Sequence, residues 1–243
     1  MTAPVTVPVA LAALLARDPA RPLVTHLGPD GARTELSVRT YENNIAKAAN
    51  LLRDDADLQP GSAVSLRLPV HWQTSVWLGA AALVGGIAWI GGPVEDPGVE
   101  VAVLGPDDLG TERAPLTLGT ALHPLGMPFR EPLPAGVLDA AIEVRGHGDR
   151  FSAYRTVRGD DAWLRYGDRT LTQAEALAEA LALAADLGAA PGSRVLVTAA
   201  LPAAALALIA LPLAADVAVV LLTDPAADAS DVADREGCGA VLA

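Results

Sequence analysis

Few residues in this chain combine a reactive type with a suggestive position. His71, Gln73 and Thr74 follow Ala63 to Leu68, where Val64, Leu66 and Leu68 alternate with Ser65 and Arg67. If that run is a strand of an open parallel sheet, the three side chains stand beyond its carboxyl end, where such sheets hold ligands. An imidazole there can exchange a proton near neutral pH. Helix capping explains the same residues without a ligand. A second cluster, Arg145-Gly-His147-Gly-Asp149, is polar and glycine-flanked. Glycines let backbone approach a ligand closely, and His147 beside Asp149 has the types for acid–base work. A turn between two halves of the chain is the simpler reading. His26 falls on the polar parity of Leu23 to Leu27, which places it toward solvent. Cys238 is the single cysteine, so an intrachain disulfide or a cysteine-based zinc site is excluded. Its place near an acidic helix end disfavours a thiolate. No Gly-x-Gly-x-x-Gly, metal-spaced histidine pair or nucleophile elbow occurs.

Two stretches of one plan must position these residues. Each runs from a short turn into a helix and then a Pro-Gly-Ser-led strand: Arg33 through Pro60-Gly61-Ser62 to Leu68, and Arg169 through Pro191-Gly192-Ser193 to Thr198. The two glycines lie 131 positions apart. A long repeat that occurs twice indicates a duplicated α/β unit, since solenoids need three or more short repeats. In the first copy, Ser37 to Thr40 begins a helix whose Tyr41, Ile45, Ala48 and Leu52 form one apolar stripe. In the second, Ala162 to Tyr166, Gly167-Asp168 and Arg169 to Leu171 form a tight hairpin. Thr172 and Glu175 then have the spacing of a capping box, and Gly188 closes the helix.

The remaining elements follow from periodicity and punctuation. Helices are expected near 5–15, 72–84 and 228–236, and strands at 87–90, 99–104, 217–222 and 240–242. Prolines interrupt 105–148, where a strand at 116–118 and a short helix or strand at 137–144 are expected. The chain divides as a first α/β subdomain (1–104), a proline-rich connector (105–150) and a second α/β subdomain (151–243). The fold class is α/β, two similar parallel-sheet subdomains in layered αβαβα order.

Just over half the residues are apolar and aromatics are few, so the core is built from Ala, Leu and Val. A net charge of −12 argues against nucleic acid or an anionic membrane as partner, because phosphate binding needs clustered cations. The amino terminus lacks the basic region of a secretory signal. Ala199 to Leu222 has membrane-spanning length, but Pro202, Pro212 and Asp216 fall inside it, so a buried helix and strand are expected instead. These features place the protein in the cytoplasm.

Leu36-Ser-Val-Arg-Thr-Tyr41, Gln59-Pro-Gly-Ser-Ala-Val64 and Leu66-Arg-Leu-Pro69 resemble, in order, the opening blocks of the adenylate-forming superfamily of acyl-CoA synthetases and peptide-synthetase adenylation domains. Gly167 to Glu175, Pro191 to Val195 and Leu222-Thr-Asp-Pro225 resemble them again. More narrowly, the chain is similar to a short bacterial family related to acyl-CoA synthetases. The resemblance implies the fold of the family's amino-terminal large domain and brings ATP or AMP, CoA and magnesium into view. The family's phosphate loop, Ser/Thr/Gly-rich and ending in Pro-Lys-Gly, has no match. Its position is taken by Tyr166, Gly167, Asp168, Thr170 and Thr172, and Lys47 is the sole lysine. The chain stops at Ala243, leaving no room for the family's lid and its catalytic lysine, and the aromatic–acidic block for adenine and magnesium is unrecognisable. The resemblance thus implies a truncated, catalytically degenerate relative that retains a nucleotide, acyl or CoA pocket or acts as a protein partner or homo-oligomer. The alternatives are an AMP-forming ligase completed by another chain and an interaction module without a small-molecule site.

Overall fold

In the computed structural model, which describes residues 5–110 and 113–243, helices and sheets alternate as the periodicity dictates. The elements in chain order are α1 (Val7–Arg17), β1 (Pro22–Leu27), β2 (Arg33–Ser37), α2 (Val38–Asp54), β3 (Ala63–Arg67), α3 (Trp72–Val84), β4 (Ile87–Ile90) and β5 (Val99–Leu104). Then come β6 (Leu116–Gly119), β7 (Leu138–Asp139), α4 (Ala140–Glu143), β8 (Ala162–Tyr166), β9 (Arg169–Thr172), α5 (Gln173–Asp186) and β10 (Arg194–Val197). The chain finishes with α6 (Ala205–Leu208), α7 (Ala210–Ala215), β11 (Ala218–Leu222), α8 (Ala229–Glu236) and β12 (Ala240–Leu242).

Among the described residues the strands form two mostly parallel sheets, ordered β12-β10-β11-β1-β2 and β7-β6-β5-β3-β4-β8-β9. Strand pairing cuts across the division into 1–104 and 151–243. The first copy's hairpin, β1–β2, joins the sheet built from the second copy, with Val24 opposite Val219. The second copy's hairpin, β8–β9, joins the sheet built from the first, with Ala88 opposite Leu164. Both hairpins carry a register shift at the same place, after Pro22 and after Ala162. Matched by this shift, Trp163 stands where Leu23 stands and Tyr166 where His26 stands. Such pairings are long-range, and local propensity carries no record of them.

The duplication is also visible in the turns. Gly61, at φ +89°, donates its N–H to the Gly85 carbonyl at 2.8 Å, and Gly192, at φ +84°, donates to the Asp216 carbonyl at 2.7 Å. Only glycine enters that backbone region without steric cost. Gly85 and Asp216 are themselves the left-handed caps of α3 and α7. Asp216 tolerates the conformation with its carboxylate ion-paired to Arg17 and Arg21.

The largest core lies between the sheets. α3 touches β1 on one side and β3 on the other, and twelve of its thirteen residues are buried. Trp163 is fully buried and its Nε1–H donates to the Leu78 carbonyl at 2.9 Å, pinning a second-copy strand to this first-copy helix. Gln173 does the same from α5: its Oε1 accepts from the Val7 amide and its Nε2 donates to the Ala82 carbonyl, both at 2.9 Å. Close packing of α3 relies on Gly79, where a Cβ would sit 2.6 Å from Ile45 Cδ1. Outside the five-stranded sheet, α8 covers Leu196 and Val220 with Val232 and Ala233. The expected helix within 199–222 is split at Ile209, whose φ of −144° breaks it into α6 and α7. Among the described residues no helix is long and apolar enough to cross a membrane.

Candidate functional site

The carboxyl ends of β1, β3, β10 and β11 converge on a cleft of about 1090 Å³ between the two sheets. His26 comes from the end of β1, His71 from the turn after β3, Thr198 to Leu201 from the end of β10, and Thr223 and Asp224 from the end of β11. Leu122 and Pro124 form a further wall, held by Trp72 Nε1–H and the Thr34 hydroxyl, which donate to the Pro124 carbonyl at 3.1 and 2.7 Å. Ligands in open parallel sheets occupy this edge, and here both sheets supply it.

The two histidines touch edge to face, with ring centroids 4.2 Å apart. Each is 4% exposed. His26 Nε2 lies 2.8 Å from the Thr223 hydroxyl, which in turn reaches the Leu27 carbonyl at 3.3 Å. A hydroxyl that donates to the carbonyl must accept from the ring, so the proton is assigned to Nε2 and the Nδ1 lone pair has no partner. His71 is the N-cap of α3, and its Nδ1 accepts from the Gln73 amide at 3.2 Å. Its proton is therefore assigned to Nε2, which makes no hydrogen bond of normal geometry among the described residues. Burial lowers His26 to about 4. Burial, and then the neighbouring His26, lower His71 to about 3, although the Leu122 backbone is close enough to favour its proton slightly. Both rings are therefore neutral at physiological pH.

Thirteen of the nineteen described lining residues are Ala, Pro, Val or Leu, and none is Lys or Arg. Among the described lining residues Asp224 is the sole carboxylate, and it caps its own turn by accepting from the Ala226 amide at 2.9 Å.

No family model matches the chain. A Mycobacterium tuberculosis protein named as a TIGR03089 family protein is 38% identical over 162 residues, which is 62% of this chain and 64% of that protein. A Brucella canis acyl-CoA synthetase superposes with a TM-score of 0.77 at 17% identity, over 96% of this chain and 46% of the enzyme. The acetoacetyl-CoA synthetase from Streptomyces lividans superposes with a TM-score of 0.72 at 21% identity, over 94% of this chain and 40% of the enzyme. The fold is that of the acyl-CoA synthetases. The chain spans less than half the length of either synthetase.

On this acyl-CoA-synthetase fold the expected site residues separate. His71 reaches the cleft. Gln73 lies one helical step away and lines a smaller hollow. Thr74 is buried and donates to the Pro69 carbonyl at 2.6 Å, closing the turn into α3. His147 pairs with Asp55 at 3.0 Å, and the Asn50 amide donates to the Gly148 and Arg150 carbonyls, so the segment carrying His147 and Asp149 is tied to α2. Neither residue lines the cleft. Tyr166 and Gly167 line a different depression of about 580 Å³, at the ends of β3 and β4. Asp168 completes the exposed turn, and Thr170 faces Arg165 across the hairpin. Thr172 caps α5: its hydroxyl accepts from the Glu175 amide at 3.2 Å, and the Glu175 carboxylate accepts from the Thr172 amide at 2.8 Å.

His26 corrects the parity reading. β1 lies between β11 and β2, and its residues from Leu23 to Leu27 are all buried. Alternation marks inside and outside where one face of a sheet is wet. Here both faces are covered, and the polar parity points His26 into the cleft. Cys238 is half-buried, and burial pushes its thiol up from the ordinary value, in keeping with an unreactive side chain.

Proposed function

We propose that this chain is an acyl-CoA-synthetase-like protein that binds an uncharged, largely apolar acyl-type group in the cleft between its sheets and does not adenylate it. The observation that carries this reading is the lining: two buried neutral histidines, thirteen aliphatic or proline residues and no cation. Adenylation builds negative charge on phosphates and on a pentacoordinate phosphorus, and that charge needs cationic or metal compensation. ATP with magnesium does not fit this lining. Asp224 would repel the phosphates, and the neutral imidazoles would have to be protonated against their burial to attract them. Among the described residues no group of three or more His, Cys, Asp or Glu side chains is placed to share a metal ion. The second depression offers Arg67, but Asp108 pairs with it at 2.7 Å and Asp107 stands beside it.

A cleft of this size accommodates an acyl chain and its ester, amide or thioester head. The test is thermal-shift titration with a neutral probe such as octanamide, in parallel with ATP, AMP and CoA, followed by carboxylate-dependent pyrophosphate exchange. A probe at about a hundred times its Kd should stabilise the fold by roughly 3 kcal/mol. Ala200→Trp, at an exposed lining position, should abolish that shift. Exchange above background, or stabilisation by ATP without any by the amide, would overturn the reading.

A further inference from the structure

A hollow on the other side of Trp72 has the opposite character. It encloses about 160 Å³ between α2, the start of α3 and the turn after α4. Lys47 and Arg145 both line it, and among the described residues no acidic side chain does. Among the described residues, ten of the sixteen arginines sit in ion pairs with carboxylates. In a chain with a net charge of −12 that outcome is expected, since carboxylates outnumber cations. Lys47, the chain's single lysine, and Arg145 converge on one hollow and, among the described residues, pair with no carboxylate. Their charges remain available for an anion from outside.

The rest of the lining suits such a guest. Trp72 and Trp77 are buried, and Trp72 is fixed by its hydrogen bond to Pro124, so the tryptophan wall is held in place. The Gln73 Oε1 is buried and has no donor among the described residues. Nothing on that oxygen holds the amide in its orientation, and half a turn about its last bond presents Nε2–H donors instead. A lysine, an arginine and an amide around a small space are the donors that a tetrahedral oxyanion takes.

We propose that this hollow binds a small dianion of the phosphate class, either inorganic phosphate or the terminal phosphoryl group of a larger molecule. The volume excludes a nucleotide held whole. The assignment rests on Lys47, Arg145 and Gln73 alone, and it holds whether or not the cleft binds an acyl group.

Isothermal titration of the full chain with inorganic phosphate, and separately with glycerol 3-phosphate, tests it. Saturable binding in the millimolar range or below is expected, weakening as salt rises. Lys47→Ala and Arg145→Ala should each weaken it about tenfold, as the loss of one charge-assisted hydrogen bond implies, and Lys47→Arg should restore most of the affinity. Both residues reach solvent, so the variants should melt with the parent protein. Binding of phosphate but not of the ester assigns the free ion, and equal binding assigns the phosphoryl group. No saturation at millimolar phosphate, or unchanged affinity in both alanine variants, would overturn the proposal.

Discussion

The molecule carries two clefts at matching ends of its two sheets. One is lined from the ends of β1, β10 and β11, with Pro69 to His71 crossing over from the other copy. The other is lined from the ends of β8, β3 and β4, with Leu201 and Pro202 crossing back. The backbones that build them share the register shift of each hairpin and the glycine turn ahead of each strand. The side chains differ. His26 and His71 give the first a neutral, buried polar pair, whereas Tyr166, Pro202 and the Arg67–Asp108 ion pair occupy the second. Duplication preserved what folds the sheets, and the chemistry diverged at the handful of positions that face the gaps. The uncharged ligand proposed above follows from that divergence, because the larger of the two clefts is also the one with no cation among its described lining residues.

The comparison can be broken most severely at the hairpins. Trp163 and Leu23 occupy corresponding places and both are fully buried. Trp163→Ala should cost about 4 kcal/mol and Leu23→Ala about 3 kcal/mol in denaturant unfolding. If either variant loses less than about 1 kcal/mol, that hairpin does not complete the opposite sheet in solution.

Acid should separate the two clefts next. The folded-state values of His26 and His71 lie below the ordinary 6.5, so their contribution to stability is complete above that pH and is lost as pH falls toward about 4 and about 3. Between pH 6.5 and 4 each imidazole should withdraw roughly 3 kcal/mol. His71→Gln should flatten the pH dependence of Tm in this window, while Tyr166→Phe in the other cleft should leave its slope unchanged.

A finer contrast lies in the helix caps. Gly85 sits at φ +75° and Asp216 at φ +59°. Gly85→Ala should destabilise by about 1–2 kcal/mol through backbone strain alone. Asp216→Gly relieves that strain but removes the ion pairs with Arg17 and Arg21, so the two effects should offset to within about 1 kcal/mol. The smallest contrast is at the helix starts. Thr172→Ala should cost about 1 kcal/mol because it dismantles both arms of a capping box, and Ser37→Ala somewhat less, since Ser37 has the single arm to the Thr40 amide.

Local order was largely legible in the sequence. The helix expected at 72–84 and the strand at 99–104 match α3 and β5, because apolar spacing and capping residues act within one element. The Thr172–Glu175 box was readable for the same reason. What local pattern could not supply was partnership. The exchange of hairpins depends on residues 195 positions apart in one sheet and 76 apart in the other, and β6 and β7 gain their meaning as strands from pairing beside β5. His26 was misplaced for that reason: its parity was right, but the wet face it implied belongs to another part of the molecule. His71 was placed at the strand end, where it lines the cleft, because the rule for strand ends is topological and needs no partner strand to be known.

The exchanged hairpins have one more consequence. Neither copy closes its own sheet, so a cut in the loop between β6 and β7 would not yield two independent folds. Each piece would present a bare parallel strand, β4 in one and β11 in the other, awaiting a hairpin that the other piece holds. The halves are thus a natural pair for fragment complementation, insoluble or loosely ordered apart and restored on mixing. By the same geometry, two intact chains brought to high concentration have a ready way to trade hairpins with each other.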